Sequence, residues 1–233
     1  MTDDHGTPPE QLKRLVDAYQ RADSSTQPPI PWPLEPWLRW LPEHKATFED
    51  LPSPLNRAEV RARSEAPQDA SDALRGFLTA MVWGFGRTGY GPWRVRQALD
   101  GMPELPEVLL EAAQQAATNA VAGYRILSER RPPRIGPAFA TKYLHFAVPC
   151  TATSPLILDR FVADWIGVHA RLRLNPGRWS PRTYERYLAC VGRWAAELNV
   201  PPARIEELIF RDTASGQWAD QSRSPKSSWS GLR

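Results

Sequence analysis

Cysteine is nearly missing from this chain of 233 residues, with only Cys150 and Cys190 present. No CxxC pair exists, so a conventional structural zinc site and a four-cysteine iron–sulfur cluster are excluded. Two lone thiols give no disulfide framework, which makes a reducing cytoplasm the expected compartment. Long apolar runs are missing as well, so no bilayer-spanning segment is expected. The opening MTDDHGTPPE lacks the basic-then-apolar order of a secretory signal. Period-two alternation of apolar and polar residues is not found, nor is an internal repeat, which leaves an all-α fold. Lysine is scarce beside arginine, and arginine suits bidentate contacts to phosphate.

What is present fits a globular protein of one main domain. The net charge of +3 and pI near 9.0 permit nucleic-acid binding without requiring it. Ten tryptophans are many for this length; some are expected in the core and a few are candidates for stacking surfaces. Residues 1–52 read as a short helix at 11–22 followed by an extended, proline-rich arm carrying Trp32 and Trp37. Residues 53–210 read as the helical domain, and 211–233 as a polar, disordered tail.

Within the domain, SPLNRAEVRARSEA predicts a helix capped by Ser53 with Pro54 in its first turn. SDALRGFLTAMVWGFG predicts another, stopped by Gly84 and Gly86. Pro92 opens a short helix, and residues 105–131 predict one long alanine-rich helix. Helices are further expected at 137–147, from Asp159 to His169, from Ser180 as cap with Pro181 as first residue, and over PPARIEELIF.

Two charges stand out in RRPPRIGPAFATKYLHFAVPCTATSPLILDRFVADWI. Gly136-Pro137 begins a helix whose first N–H groups lack intrahelical partners and whose dipole favours an anion. Arg130, Arg131 and Arg134 flank that start. Phe139, Tyr143 and Phe146 form a core stripe, while Ala138, Lys142 and His145 share another face. The Lys142 stem leans back toward the turn. The plain alternative is a lysine with a solvated ammonium, and His145 is expected to be a satisfied helix histidine. Asp159 closes the apolar run PLILD as an N-cap. Capping alone would explain it, but an apolar segment can also hold a carboxylate rigidly at the core's edge.

A glycine-containing hairpin between helices, followed about twenty residues later by an aspartate, resembles the helix-hairpin-helix DNA glycosylases. More closely, IGPAFATKYLHFA followed by PLILDRFVA resembles bacterial proteins with the 8-oxoguanine glycosylase fold, over about Trp83 to Phe210. The resemblance implies an all-α bundle with two lobes flanking a cleft. It also implies an enzyme that extrudes one nucleotide from duplex DNA and cleaves the bond between base and deoxyribose.

Carried onto this sequence, it implies that Asp159 stabilises charge on the sugar and that Lys142 acts as nucleophile or as a poised cation. The hairpin position most often occupied by lysine in better-known relatives falls here on Ala138. Phosphate contacts are then expected from Arg134, Gly136, Ala138 and Arg160, and a base pocket from Trp83, Tyr90 and Phe139. No metal or cofactor is called for. The partner is double-stranded DNA with a damaged or modified base, bound by a monomer. The base stays open between oxidised guanine in host DNA and a bulky modification in phage DNA, the latter implying antiviral defence. A non-catalytic DNA-binding module and a purely structural helical protein are the competing classes.

Overall fold

The computed structural model describes residues 6–21 and 27–221. These fold into twelve α-helices and one short 3-10 turn, and among them the only β feature is an isolated bridge between Ile30 and Leu55. The all-α expectation holds.

The N-terminal helix and the proline-rich segment after it pack into the main buried cluster. Helix α1 (Glu10–Arg21) buries Leu12 and Val16, and α2 (Leu34–Trp40) forms where continuous extension is expected. Trp37 packs on Phe48 of α3 (Lys45–Glu49) with ring centroids 5.3 Å apart. The Trp32 indole N–H donates to the Pro52 carbonyl at 2.8 Å. Both tryptophans therefore belong to the core, and neither offers a free stacking face. One continuous buried cluster runs from Leu12 to Ile209.

Helix α4 (Arg57–Ser64) starts three residues beyond the expected position. Asn56 caps it in a full capping box with Glu59, which satisfies two otherwise orphan backbone donors; Ser53 instead donates its hydroxyl to the Trp32 carbonyl. The central helix α5 (Ala70–Phe85) is capped by Asp69 and runs through Gly84. It ends at Gly86, whose φ of 52° suits glycine. Helix α6 (Gly91–Gly101) follows a short exposed turn.

The single long helix expected over 105–131 is two helices, α7 (Leu105–Thr118) and α8 (Ala120–Arg130). Asn119 breaks the run: its side chain accepts from the Val121 and Ala122 amides, so it serves as an N-cap. Capping chemistry outweighs the alanine-rich propensity there. Helix α7 packs on α8, α5 and α9 (Pro137–Ala147), and α8 packs on α7 and α9. The C-terminal part comprises α10 (Arg160–His169), α11 (Pro181–Leu198) and α12 (Pro202–Gln221). Helix α12 packs on α1, α10 and α11. It continues past Arg211, so the tail is helical as far as Gln221; the rest of the expected disordered segment lies outside the described residues. Among the described residues no helix is long and apolar enough to cross a membrane.

Candidate active site

The hairpin joins α8 to α9 through residues 131–136. Arg131 takes left-handed backbone geometry as the α8 C-cap (φ 49°), and its N–H donates to the Leu127 carbonyl at 2.9 Å. Arg134 is also left-handed (φ 62°), and the Ile135 N–H closes the turn on the Pro132 carbonyl at 3.2 Å. Gly136 is the extended N-cap of α9, and its carbonyl accepts from the Phe139 and Ala140 amides. The amide of Ala138 points out of the first turn, where helix geometry supplies no partner. Arg134 is exposed, with its guanidinium 5.4 Å from the Trp93 ring centroid.

One turn along α9, Lys142 turns inward and is only 8% exposed. Its Nζ donates to Asp159 Oδ2 at 2.8 Å, across a sequence separation of 17 residues. Asp159 is 7% exposed and caps α10, accepting the Val162 amide on Oδ1 at 3.2 Å. The carboxylate is thus engaged on both oxygens. Burial pushes its pKa up, but the charge and hydrogen bond of Lys142, the Val162 amide and the Arg57 charge together hold it below the usual carboxylate value.

The segment that delivers Asp159 is fastened by side-chain hydroxyls. Tyr184 donates to the Leu156 carbonyl at 2.8 Å and accepts from the Leu156 amide at 3.1 Å. Tyr187 donates to the Ile157 carbonyl at 2.7 Å, and Thr141, next to Lys142, accepts the Leu158 amide at 3.1 Å. An extended apolar strand-like run would otherwise bury unpaired backbone groups. These bonds fix the carboxylate relative to α9 and α11 at once. Space for the lysine stem comes from Gly84, where a Cβ would lie 3.1 Å from both Lys142 Cδ and Phe139 Cε1.

A second buried charge pair adjoins the first. Arg57 makes two bonds to Glu206, at 2.7 and 3.1 Å, and a third to Gln27 Oε1 at 2.8 Å. Glu207 accepts the Gln27 amide at 2.6 Å. Burial of Glu206 pushes its carboxyl up more than Arg57 pulls it down, and Asp159 adds to the rise. These residues escape sequence reasoning because their partners lie far apart in the chain. The one available signal is a pair of glutamates inside the apolar frame of RIEELIF. His145 is a satisfied histidine, as expected. Its Nδ1 sits 2.9 Å from the Pro155 carbonyl, which can only accept, so Nε2 accepts from Arg61 at 3.2 Å. Burial, then the charges of Arg57 and Arg61, hold its pKa well below the ordinary value.

The proposed base-pocket residues separate. Trp83 is 5% exposed, with Arg57 5.1 Å from its ring centroid and Phe146 at its edge, so it presents no open face. Phe139 is half-buried, stacked on Phe85 at 4.1 Å and 5.7 Å from the Lys142 ammonium. Tyr90 is 53% exposed at the surface. Arg160 is exposed beside Asp159, its guanidinium near Phe161. One surface cavity is lined by residues that include Arg57, Arg61, His145 and Arg204, and another by residues that include Asp50, Arg63 and Arg75; neither of these is lined by Lys142 or Asp159.

No curated protein and no solved structure matches the chain. A family model does, across residues 23–210, a span that takes in the hairpin, the Lys142–Asp159 pair and much of the tryptophan-bearing N-terminal segment. That model is described as "Putative 8-oxoguanine DNA glycosylase OGG-like protein", and with most of its length matched the chain belongs to this OGG-like DNA glycosylase family.

Proposed function

We propose that this protein is a DNA N-glycosylase that removes a damaged or modified base from duplex DNA, using Asp159 and Lys142 as its catalytic residues. The observation that carries the reading is the buried 2.8 Å contact between them, one helical turn inside the hairpin. Cleavage of a glycosidic bond builds positive charge on the deoxyribose, and an ionised carboxylate held in a low-dielectric site stabilises it. Asp159 meets both requirements: it stays ionised well into acid, and capping α10 prevents its rotation.

Lys142 has two chemically balanced roles. As nucleophile its ammonium loses a proton that passes by way of Asp159 to the departing base, its nitrogen bonds to the sugar carbon, and the glycosidic electron pair leaves with the base, so the carboxylate ends ionised. As a spectator cation it orients the carboxylate while water bonds to the sugar carbon, the glycosidic electron pair leaves with the base, and the water's proton passes to that base. The hairpin's outward amides and Arg134 supply a place for a backbone phosphate, and Arg160 offers a second cation beside the sugar.

The test is release of free bases, read by mass spectrometry, from DNAs containing oxidised guanine and from phage DNAs with bulky modified bases. Wild type is expected to release one class, and that class decides between host repair and antiviral defence. Asp159→Asn is expected to abolish release while binding persists. Borohydride trapping on a cleaved substrate assigns the nucleophile: a covalent adduct lost in Lys142→Met selects the lysine, and no adduct selects water. Binding without release from any DNA would leave the non-catalytic module as the correct class.

A further inference from the structure

The hairpin leads into the first turn of α9, and an arginine-lined cavity lies at the other end of that helix. His145 and Phe146, in the last turn, line it together with residues of α1, α4 and α12. The helical rise from Gly136 to His145 is about 13 Å. The cavity measures about 270 Å³. Three arginines reach it from two helices, Arg57 and Arg61 from α4 and Arg204 from α12. Each lies on an aromatic ring. Arg57 is 5.1 Å from the Trp83 centroid, Arg61 is 5.9 Å from that of Phe146, and Arg204 is 4.9 Å from that of Tyr19. A ring steadies a guanidinium while leaving N–H groups at its edge for other partners.

The carboxylates around these arginines are already engaged. Glu207, the one that lines the cavity, accepts the Gln27 amide on one oxygen and Arg204 on the other, at 2.6 Å each. Glu206 has both oxygens on Arg57. Arg61 donates to the Val148 carbonyl at 2.8 Å and to His145 Nε2 at 3.2 Å. Its nearest carboxylate, Glu65, stands 4.0 Å away and does not line the cavity. A guanidinium carries five N–H groups. These bonds take two of them from Arg61 and one from Arg204. The other N–H groups of both side chains have no hydrogen-bond acceptor among the described residues. A lining whose carboxylate is occupied while its guanidinium donors remain suits an anion. Donors on separate side chains match the several oxygens of a phosphate better than the two coplanar oxygens of a carboxylate.

We propose that this cavity is a second binding site, separate from the catalytic pair, which takes the phosphate of a small phosphate-bearing ligand on Arg61 and Arg204, with Arg57 beside them. The volume lies just under that of ordinary ligand pockets, about 300–1,000 Å³, so the occupant is no larger than a mononucleotide. Ala58, Pro201 and Ala203 give part of the lining an apolar surface for its organic portion. Free phosphate and a nucleoside monophosphate present the same group to the arginines. The site does not depend on the glycosylase reading, because neither Lys142 nor Asp159 lines it.

Calorimetric titration of the full chain, at fixed ionic strength and without DNA, tests it with three probes: inorganic phosphate, deoxyadenosine monophosphate and deoxyadenosine. The two phosphate-bearing probes are expected to bind and the nucleoside is not. Tighter binding of the nucleotide names a nucleotide as the ligand; equal or tighter binding of inorganic phosphate names the free ion. Arg204→Gln and Arg61→Gln, tested singly, should each weaken binding by about 10-fold or more, the range of a charged hydrogen bond. Glutamine keeps a donor for Glu207 or for the Val148 carbonyl, and thermal melts confirm that each variant is folded. Arg75→Gln, in the other cavity, should change nothing. The proposal is overturned if neither phosphate probe saturates below about 10 mM, if deoxyadenosine binds as well as its monophosphate, or if both cavity variants bind like wild type. It is equally overturned if Arg75→Gln weakens binding as much as they do, or if intact duplex displaces the bound probe, since the arginines would then belong to the DNA-binding surface.

Discussion

Replacing Asp159 by asparagine isolates what the buried charge contributes. Asparagine is as good an N-cap as aspartate, so the bond to the Val162 amide survives and α10 keeps its start. What disappears is the negative charge facing Lys142, and both side chains are only 10% exposed, so solvent screening is weak. Breaking such a pair from one side strands the other charge and costs about 3–5 kcal/mol. For a protein of this size that lowers Tm by about 6–20 °C. Lys142→Met should cost less, because Asp159 still accepts the Val162 amide and feels Arg57. The double variant Lys142→Met/Asp159→Asn should recover much of the loss, since no unpaired charge remains. Urea denaturation followed by circular dichroism, without DNA, measures all four proteins. Single variants within about 0.5 kcal/mol of wild type and additive in the double would refute a buried, coupled pair. On substrate, the same asparagine should lower the rate of base release by at least about 100-fold with intact-duplex affinity nearly unchanged.

Gly84→Ala gains helix propensity of up to about 1 kcal/mol but drives a methyl group against Lys142 and Phe139; base release should fall markedly while Tm changes little, and unchanged release would show that the stem has room to spare. His145 has a depressed pKa in the fold, so its contribution is complete above the unfolded value of about 6.5 and is lost as pH falls below it. Stability should therefore drop by up to about 1.4 kcal/mol per pH unit between pH 6.5 and 5, and His145→Asn should flatten that slope in a pH series of melts. Arg134→Glu should weaken binding to all duplex sequences alike and shallow the salt dependence of affinity; an effect confined to one sequence would contradict a phosphate contact.

Asp159 and Lys142 were legible in the sequence because each sits in a frame that makes it conspicuous. A carboxylate ends an apolar run, and a lysine interrupts an aromatic helix. The caps at Asp159, Gly136 and Ser180 follow from local chemistry and were equally readable. Asn119 was not, since an asparagine inside an alanine-rich stretch looks tolerable until its side chain is seen bonding two amides. Nor was Asn56, which outcompetes Ser53 because Glu59 completes a capping box. The Arg57–Glu206 pair spans 149 residues, a distance that no periodicity encodes. Trp83 and Tyr90 share one glycine-rich stretch, and only packing reveals that the first lies beneath Arg57 and the second at the surface.

The link from Arg57 to Glu206 has a consequence for synthesis. Arg57 leaves the ribosome long before Glu206 is translated, so during most of elongation the guanidinium has no carboxylate to neutralise it. Helix α12 must then arrive and dock for the charges around Asp159 to balance. A half-made polypeptide accordingly lacks the finished surroundings of its own carboxylate, and the proposed base removal would have to wait for the last helix.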